Sequence, residues 1–475
     1  MAYGKRGSTS VFLTLVFASL IIVSSVLIRA AGLSAGRSYG DAVFNMAGRS
    51  LLAEYDKKLF EDYGIFGMRT DEEIARRKLL HYSDASLEKG IRMDGTLWVL
   101  PCGVSDLTTD LNEFSLLDID VFEEQILGDV KNVIVNNVAD RALGRDGADE
   151  SGGGTGGGGT GGGEAGAGGG AGDRAGGGVV GRLENQTIIN ALPSRGVSGS
   201  EIPIQTLIDN GLPSVSELMD GGADIFLTTE YLLARFAHAN EAVPELAADH
   251  SRFFANEVEY IVAGKHSDKE NYSSVKIKLA LLRFLMNEIY LHSDNERMDV
   301  VRGIEATLSA LVPPPWPQIL RELIIAAWVT VESDNDMNML ADGGQVPLFK
   351  SSENWACDAD GIAGKVLAHI NAIGRVGGGE EEEEEPRYVA PVKPEKEEGF
   401  HYVDYLRLFL YFVPRDVKLL RTMDLIQLNL KSSYYESFLI RDYYTGIRYS
   451  LMMNGDRFTY VQRYAKQTNS EDGNK

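Results

Sequence analysis

The sequence predicts an α+β fold, predominantly α-helical, with a small C-terminal β region, placed after one N-terminal transmembrane helix. Three observations lead there. Ser8–Ile28 (STSVFLTLVFASLIIVSSVLI) carries no charge. Apolar residues then recur at the three-to-four-residue spacing of amphipathic helices over much of the chain. Near the end the style changes to β-branched and aromatic runs around Asn454-Gly455-Asp456, the signature of a hairpin.

The first element is the apolar stretch. About 20 residues at ~1.5 Å rise cross the ~30 Å hydrocarbon of a bilayer, and Ser8–Ile28 has that length. Thr9, Ser10, Thr14, Ser19, Ser24 and Ser25 dilute it, but a hydroxyl on a helix can bond back to a carbonyl one turn earlier. A secretory signal has a shorter core and a small-residue cleavage site. Ile28-Arg29-Ala30 and Leu33-Ser34-Ala35 are imperfect versions of such sites, so the reading is a retained anchor, with a cleaved signal as the alternative. Lys5 and Arg6 precede the span, and Arg29 and Arg37 follow it, so basic residues orient it weakly. The short tail 1–7 before the span and the large acidic remainder after it point to a cytoplasmic N-terminus and an extracellular bulk. Ile319–Val331 is too short to span, and Tyr402–Val413 is broken by Asp404 and Arg407, which leaves a single-pass protein of the cell membrane.

Residues 29–146 form a membrane-proximal, mostly helical region. Val43, Met46, Leu51, Leu52, Tyr55, Leu59, Phe60 and Tyr63 approximate one helical face, so the anchor continues outside the membrane. Tyr63-Gly64-Ile65-Phe66-Gly67 reads as a stop. Leu97–Leu100 fits a strand ended by Pro101, and Val121–Leu143 a helix. Residues 147–181 are a Gly-rich linker whose composition builds no core. Residues 182–373 form a helical core domain, with helices expected over Ala223–Ala239, Ser251–Gly264, Ser274–Leu291 and, after Pro313-Pro314-Pro315, Gln318–Val331. An acidic Pro/Gly linker, 374–399, contains Glu380–Glu385. Residues 400–475, with helices at His401–Val413 and Val417–Leu430 and then the hairpin, are assigned to the core domain. The cluster Tyr434, Tyr435, Tyr443, Tyr444 and Tyr449 reads as sheet packing rather than a ligand stack.

Over 475 residues the formal net charge is −23 and the apolar fraction 44%. That supports a real core and argues against nucleic acid or anionic headgroups as partners, because both want a basic surface. Cys102 and Cys357 are the two cysteines. They are too few for a disulfide framework or a zinc site alone and are expected as buried thiols, a single pair being the alternative in an oxidising exterior.

A search for chemistry finds no constellation. Gly36-Arg37-Ser38-Tyr39-Gly40 spells a nucleophile elbow, but that motif needs a strand before it and a helix after it, and here a membrane helix precedes. The Gly-rich stretch lacks the GK[ST] of a phosphate loop. His81, His238, His250, His266, His292, His369 and His401 are scattered. Asp334-Asn335-Asp336-Met337-Asn338 begins like a calcium loop, but Met339 and Gln345 stand where the required Gly and bidentate Glu belong, and Asp358-Ala359-Asp360-Gly361 is shorter still. Glu257 and Glu259, two apart, are expected to diverge on a helix, with Asp268-Lys269-Glu270 a polar turn. The expectation is no enzyme: no catalytic, cofactor-binding or metal residues, and no cofactor.

Two blocks carry a resemblance. Ser50–Phe66 (SLLAEYDKKLFEDYGIF) behind an N-terminal span is similar to the opening of an uncharacterised bacterial membrane-anchored family, a domain of unknown function found in Gram-positive anaerobes. Val258–Asn271 (VEYIVAGKHSDKEN) resembles the same family. So do Leu282-Arg283, Asn287–Leu291, Ala326–Trp328 through Glu332-Ser333, Val346–Leu348, Asp404–Leu408 and Met423–Leu428. Within the second block Glu259-Tyr260-Ile261 sits on a helix stopped by Gly264, and the side chains of Lys265–Asn271 are expected to cap neighbouring helices. The N-terminus is also similar to the pseudopilins of tight-adherence (Tad) pili, with Lys5-Arg6-Gly7 at the processing position, although Phe12 stands where the pilin pattern has Glu. The resemblance implies a membrane-anchored cell-surface structural or interaction protein whose partners are membrane lipid and the proteins of a Tad-like pilus or secretion assembly. The alternatives are an envelope binding or sensing module unrelated to pili and, further off, an extracellular hydrolase.

Overall fold

A computed structural model describes residues 6–87, 91–93, 96–98, 104–142, 182–183, 185–196, 222–239, 252–312, 316–374, 399–453 and 455–464. The chain divides into two compact units, Met1–Asn132 with Ser437–Lys475, and Val133–Glu436. It is mostly helical, with a small β region in which the C-terminal residues take the main part, and it carries one long apolar helix at its N-terminus.

The first unit is built on α1 (Arg6–Leu52), a single helix of 47 residues. Its first half presents Val11, Phe12, Leu15, Phe17, Ile21, Ile22, Leu27 and Ile28 outward with no protein against them. The hydroxyls there turn inward, as expected: Thr14 donates to the Ser10 carbonyl (3.1 Å), Ser19 to Val16 (2.8 Å) and Ser25 to Ile21 (2.7 Å). The second half buries Val43, Phe44, Ala47, Leu51 and Leu52. After α2 (Lys57–Tyr63), Gly64 takes a left-handed φ of 67°, the predicted stop. Then come β1 (Met68–Arg69), α3 (Glu72–Leu87), β2 (Ile91–Met93), β3 (Thr96–Trp98), β4 (Val104–Asp110) and α4 (Ile119–Ala142). The C-terminal part adds β5 (Tyr443–Tyr444), β6 (Gly446–Met453) and β7 (Asp456–Arg463).

The hairpin forms where expected, β6 pairing with β7 from Gly446↔Arg463 to Met453↔Asp456. Its place differs from expectation. Residues 437–475 belong not with the helical core but with the N-terminal unit, because β6 also pairs antiparallel with β4, Val104 opposite Met453 and Asp110 opposite Arg448. Ile447, Tyr449, Leu451 and Met453 alternate inward along β6. They pack with Phe44, Ala47 and Leu51 of α1 and with Leu79 of α3. Gly48 allows that approach: a Cβ there would lie 2.5 Å from the Tyr449 hydroxyl oxygen.

The second unit is helical. Its elements are α5 (Gln186–Asn190), α6 (Gly222–Arg235), α7 (Glu257–Ala263), α8 (Asp268–Ser293), α9 (Asn295–Leu308), α10 (Leu320–Ala341), α11 (Ile362–Gly374), α12 (Tyr402–Phe412) and α13 (Arg415–Ser433). An apolar core joins α8 to α11 through Leu291, Val301, Leu308, Ile324, Trp328, Val366 and Ile370, closed by Trp355. The predicted polar connection caps as anticipated. Ser267 accepts from Glu270 N (3.3 Å), Asp268 accepts from Ala255 N (2.7 Å) and Asn256 N (3.0 Å), and Asn271 accepts from Lys265 N (2.7 Å). The linker readings at 147–181 and 374–399 fall almost wholly outside the described residues.

Candidate functional site

Helix α13 is buried without interruption from Val417 to Leu430, yet six of its polar residues lie inside: Lys418, Arg421, Thr422, Asp424, Gln427 and Asn429. Buried polar groups need partners, and these find them mainly on the exposed ends of neighbouring backbone. Lys418 donates to Leu410 O (3.2 Å), Arg421 to Ile261 O (2.8 Å) and Val262 O (3.2 Å), and Gln427 to Ala191 O (3.0 Å). Asp424 accepts from Ser194 N (3.0 Å) and from the Tyr260 hydroxyl (2.8 Å). Asn429 accepts from Phe253 N (2.9 Å) and donates to Glu257 (2.6 Å).

Glu257 and Glu259, expected to diverge on a helix, both lie on α7. Both are buried and both hold the non-helical segment after α6. Glu257 accepts from Ala237 N (2.8 Å), and Glu259 accepts from Ala239 N (2.9 Å) and the Tyr402 hydroxyl (2.9 Å). In return Ala237 O accepts from Glu257 N (2.9 Å) and Val258 N (3.1 Å), which caps α7. Burial raises the Glu257 carboxyl to about 7 against the pull of Ala237 N–H, Asn429 and Arg252. Burial likewise raises Asp424 to about 6 and moves Glu259 upward.

A second cluster lies between α8, α10, α12 and the loop after α10. Arg283, fully buried, donates from Nε (3.0 Å) and Nη2 (2.9 Å) to Asp336 Oδ2, and from Nη1 to Pro347 O (2.9 Å), Leu348 O (3.1 Å) and the Tyr405 oxygen (3.1 Å). Asn287, one turn along α8, accepts from Arg283 (3.1 Å) and donates to Asp336 Oδ2 (2.9 Å) and Ser333 Oγ (3.1 Å). The Tyr405 hydroxyl donates a hydrogen bond to Val346 O (2.9 Å), and burial pushes its pKa up to about 12. Beside them the Lys350 ammonium lies 2.6 Å from Glu332 Oε1 and 2.6 Å from Asp336 Oδ1. Glu332 also accepts from Ala356 N (3.1 Å) and Cys357 N (2.8 Å). Burial and the Glu332 charge raise the Cys357 thiol, which is free and buried as expected, while Cys102 lies outside the described residues.

The structure thus gathers residues from most of the blocks quoted above, Arg283, Asn287, Ser333, Glu332, Val346–Leu348 and Tyr405, around one buried ion cluster. Asp336 and Lys350 were not singled out for it. Asp336 had been read in a calcium-like loop, but residues 334–338 are helical and lie inside α10. Two signals pointed to the cluster: Glu332 and Asp336 are four apart on one helix, and so are Arg283 and Asn287.

Other candidates resolve simply. Ser38 lies within α1, with helix on both sides, so it forms no elbow. His81 is on α3, His292 in the last turn of α8, His369 on α11, and His401 immediately before α12, while His250 lies outside the described residues. His238 follows α6 and His266 precedes α8. Among the described residues no three His, Cys, Asp or Glu side chains are grouped to hold a metal ion.

No curated protein and no solved structure matches the chain. One family model matches residues 180–455, which take in α5 through α13, β5 and β6, and leave α1 outside. That match covers more than half of the chain, and with it the protein belongs to DUF5702, a family of unknown function.

Proposed function

We propose that this is a membrane-anchored structural or interaction protein of the cell surface, without catalysis, that serves a Tad-like pilus or secretion assembly. The observation that carries the anchoring is the two-part character of α1. Its apolar first half is exposed, and its second half, in the same unbroken helix, is part of the core of the first unit. Among the described residues it is the one helix long and apolar enough to cross a membrane. An exposed stripe of that kind in water costs roughly 25 cal/mol per Å² of apolar surface, and a bilayer removes the cost. Cleavage at either small-residue site would separate the apolar half from a helix whose remainder stays docked.

The absence of catalysis is supported by where the unusual ionisable groups point. Glu257, Glu259, Asp424 and Arg421 bind backbone and neighbouring side chains inside the core. The pilus assignment rests on the resemblance of residues 1–28 to pseudopilins. Protease added to wall-stripped cells should digest the chain beyond α1; full protection contradicts the external placement. Photo-crosslinkers on α1 should capture a pilus platform or pseudopilin subunit; capture of lipid alone contradicts the pilus assignment and leaves the anchor.

A further inference from the structure

The Lys350 ammonium sits between two buried carboxylates, Asp336 and Glu332. We propose that the Lys350 Nζ and Asp336 Cγ become joined in an intramolecular isopeptide bond, formed by the folded chain itself with Glu332 as the proton carrier. The inference is independent of the function proposed above.

The first support is proximity without water. Nζ lies 2.6 Å from Asp336 Oδ1 and 2.6 Å from Glu332 Oε1, and the three side chains are 2%, 0% and 0% exposed. The Asn354 carbonyl, 3.2 Å away, further fixes the amine. Two reacting groups held this closely meet as in a unimolecular step.

The second support is the inequality of the two Asp336 oxygens. Oδ2 accepts from Arg283 Nε (3.0 Å), Arg283 Nη2 (2.9 Å) and Asn287 Nδ2 (2.9 Å). Donors placed there stabilise the negative charge that grows on that oxygen when a nucleophile adds to Cγ. Oδ1 has no hydrogen-bond donor among the described residues apart from the approaching Lys350 ammonium. It is the oxygen free to leave. Glu332 is differently placed: Ala356 N sits 3.1 Å from each of its oxygens, and Cys357 N is 2.8 Å from Oε2. Held on both oxygens by backbone, it keeps its place as base and is not the group attacked.

The step balances. The ammonium gives one proton to Glu332, and the freed Nζ lone pair attacks Asp336 Cγ to form the C–N bond. Oδ2 takes up the charge against Arg283 and Asn287. Glu332 returns its proton to Oδ1, and Nζ gives a second. The Cγ–Oδ1 bond then breaks, one water leaves, and a secondary amide remains. Ammonium plus carboxylate becomes amide plus water, with no oxidant and no other reactant. One charge of each sign disappears from a cluster that began with Arg283 and Lys350 facing Asp336 and Glu332. The product ties α10 covalently to the loop that follows it and shortens the chain that can extend when the protein is unfolded or pulled.

The test is the mass of the full-length wild-type chain, extracted in detergent, reduced and denatured. The expected mass is lighter than the sequence by one water, with a branched peptide joining Lys350 to Asp336 after digestion. Glu332→Gln, checked by circular dichroism for retained helix, is expected at its full sequence mass with the two peptides separate. A wild-type chain at full sequence mass, or a water loss mapping elsewhere, overturns the proposal; a folded Glu332→Gln chain that still carries the bond overturns the role given to Glu332.

Discussion

Arg421 lies flat against Gly264: a Cβ added to that glycine would fall 2.4 Å from the guanidinium carbon. The glycine ends α7 with a left-handed φ of 65°, and the guanidinium donates to Ile261 O and Val262 O, carbonyls the helix end leaves without partners. Gly264→Ala therefore meets both backbone strain and a buried side chain. It should lower stability by about 1–3 kcal/mol, read as a shift in the midpoint of denaturant unfolding. Arg421→Met, which leaves Gly264 intact but strips the two carbonyls, should fall in the same range.

Arg283 is the donor on which the second cluster depends. Arg283→Met removes the partner of Asp336, Asn287, Pro347 O, Leu348 O and Tyr405 together. Each buried acceptor left without its donor costs about 1–3 kcal/mol whether Asp336 stands as carboxylate or amide, so the sum is a large part of a domain's net stability. Thermal unfolding of the variant should show the loss at once, and a Tm within a degree or so of wild type would contradict this account of the cluster.

The buried acids make stability depend on pH, and the sign follows from the direction of their shifts. Burial raises the folded-state values of Glu257 to about 7 and of Asp424 to about 6, above their ordinary carboxylate range. The folded chain therefore holds these protons more tightly than the unfolded one. The stabilisation is complete below the ordinary carboxylate values and is lost as pH rises through the folded-state values. Denaturant midpoints should fall from about pH 5 to about pH 8. Glu257→Gln removes one of these titrating groups, which also include Glu259, and should flatten that slope, whatever it does to stability at a single pH.

Gly48 and Tyr449 bring α1 onto the sheet. The Tyr449 hydroxyl donates to Phe44 O at 2.7 Å, and a Cβ on Gly48 would lie 2.8 Å from Gln462 as well. Gly48→Val should push the helix away from β6 and β7 and cost about 1–3 kcal/mol. Tyr449→Phe, which keeps the ring and drops one hydrogen bond, should cost about 1 kcal/mol. Protection of the β6 amides in hydrogen exchange distinguishes the two.

Much of this fold was legible in the chain. Apolar spacing placed α6, α8, α12 and α13 to within a turn or two and found the start of α10 but not its polar last turns, residues 332–341; Asn454-Gly455 marked the hairpin, and Ser267, Asp268 and Asn271 announced their capping roles. What escaped is non-local. β4 meets β6 across more than three hundred residues of sequence, and no periodicity within Val104–Asp110 names its partner. The polar residues of α13 escaped for another reason. Arg421, Asp424 and Gln427 recur every three residues, as a solvated face would, and only tertiary packing turns that stripe inward onto helix ends and loops. In the ion cluster, Arg283, Asn287, Glu332 and Tyr405 were already in the blocks carrying the family resemblance, whereas Lys350 sits in a loop where sequence spacing says nothing about what lies opposite.

The central claim is that α1 is a retained anchor, and N-terminal sequencing of the chain that remains in alkali-washed membranes tests it most directly. The account predicts an uncleaved N-terminus upstream of Ser8, because Phe12 stands where a processed pilin helix has the carboxylate that sets its register, and an unpaired charge in hydrocarbon is what such pairing avoids. A start at Ser8 would make α1 a processed pilin-type helix, and a start at Ala31 or Gly36 would make the protein a secreted one; either result contradicts the anchor.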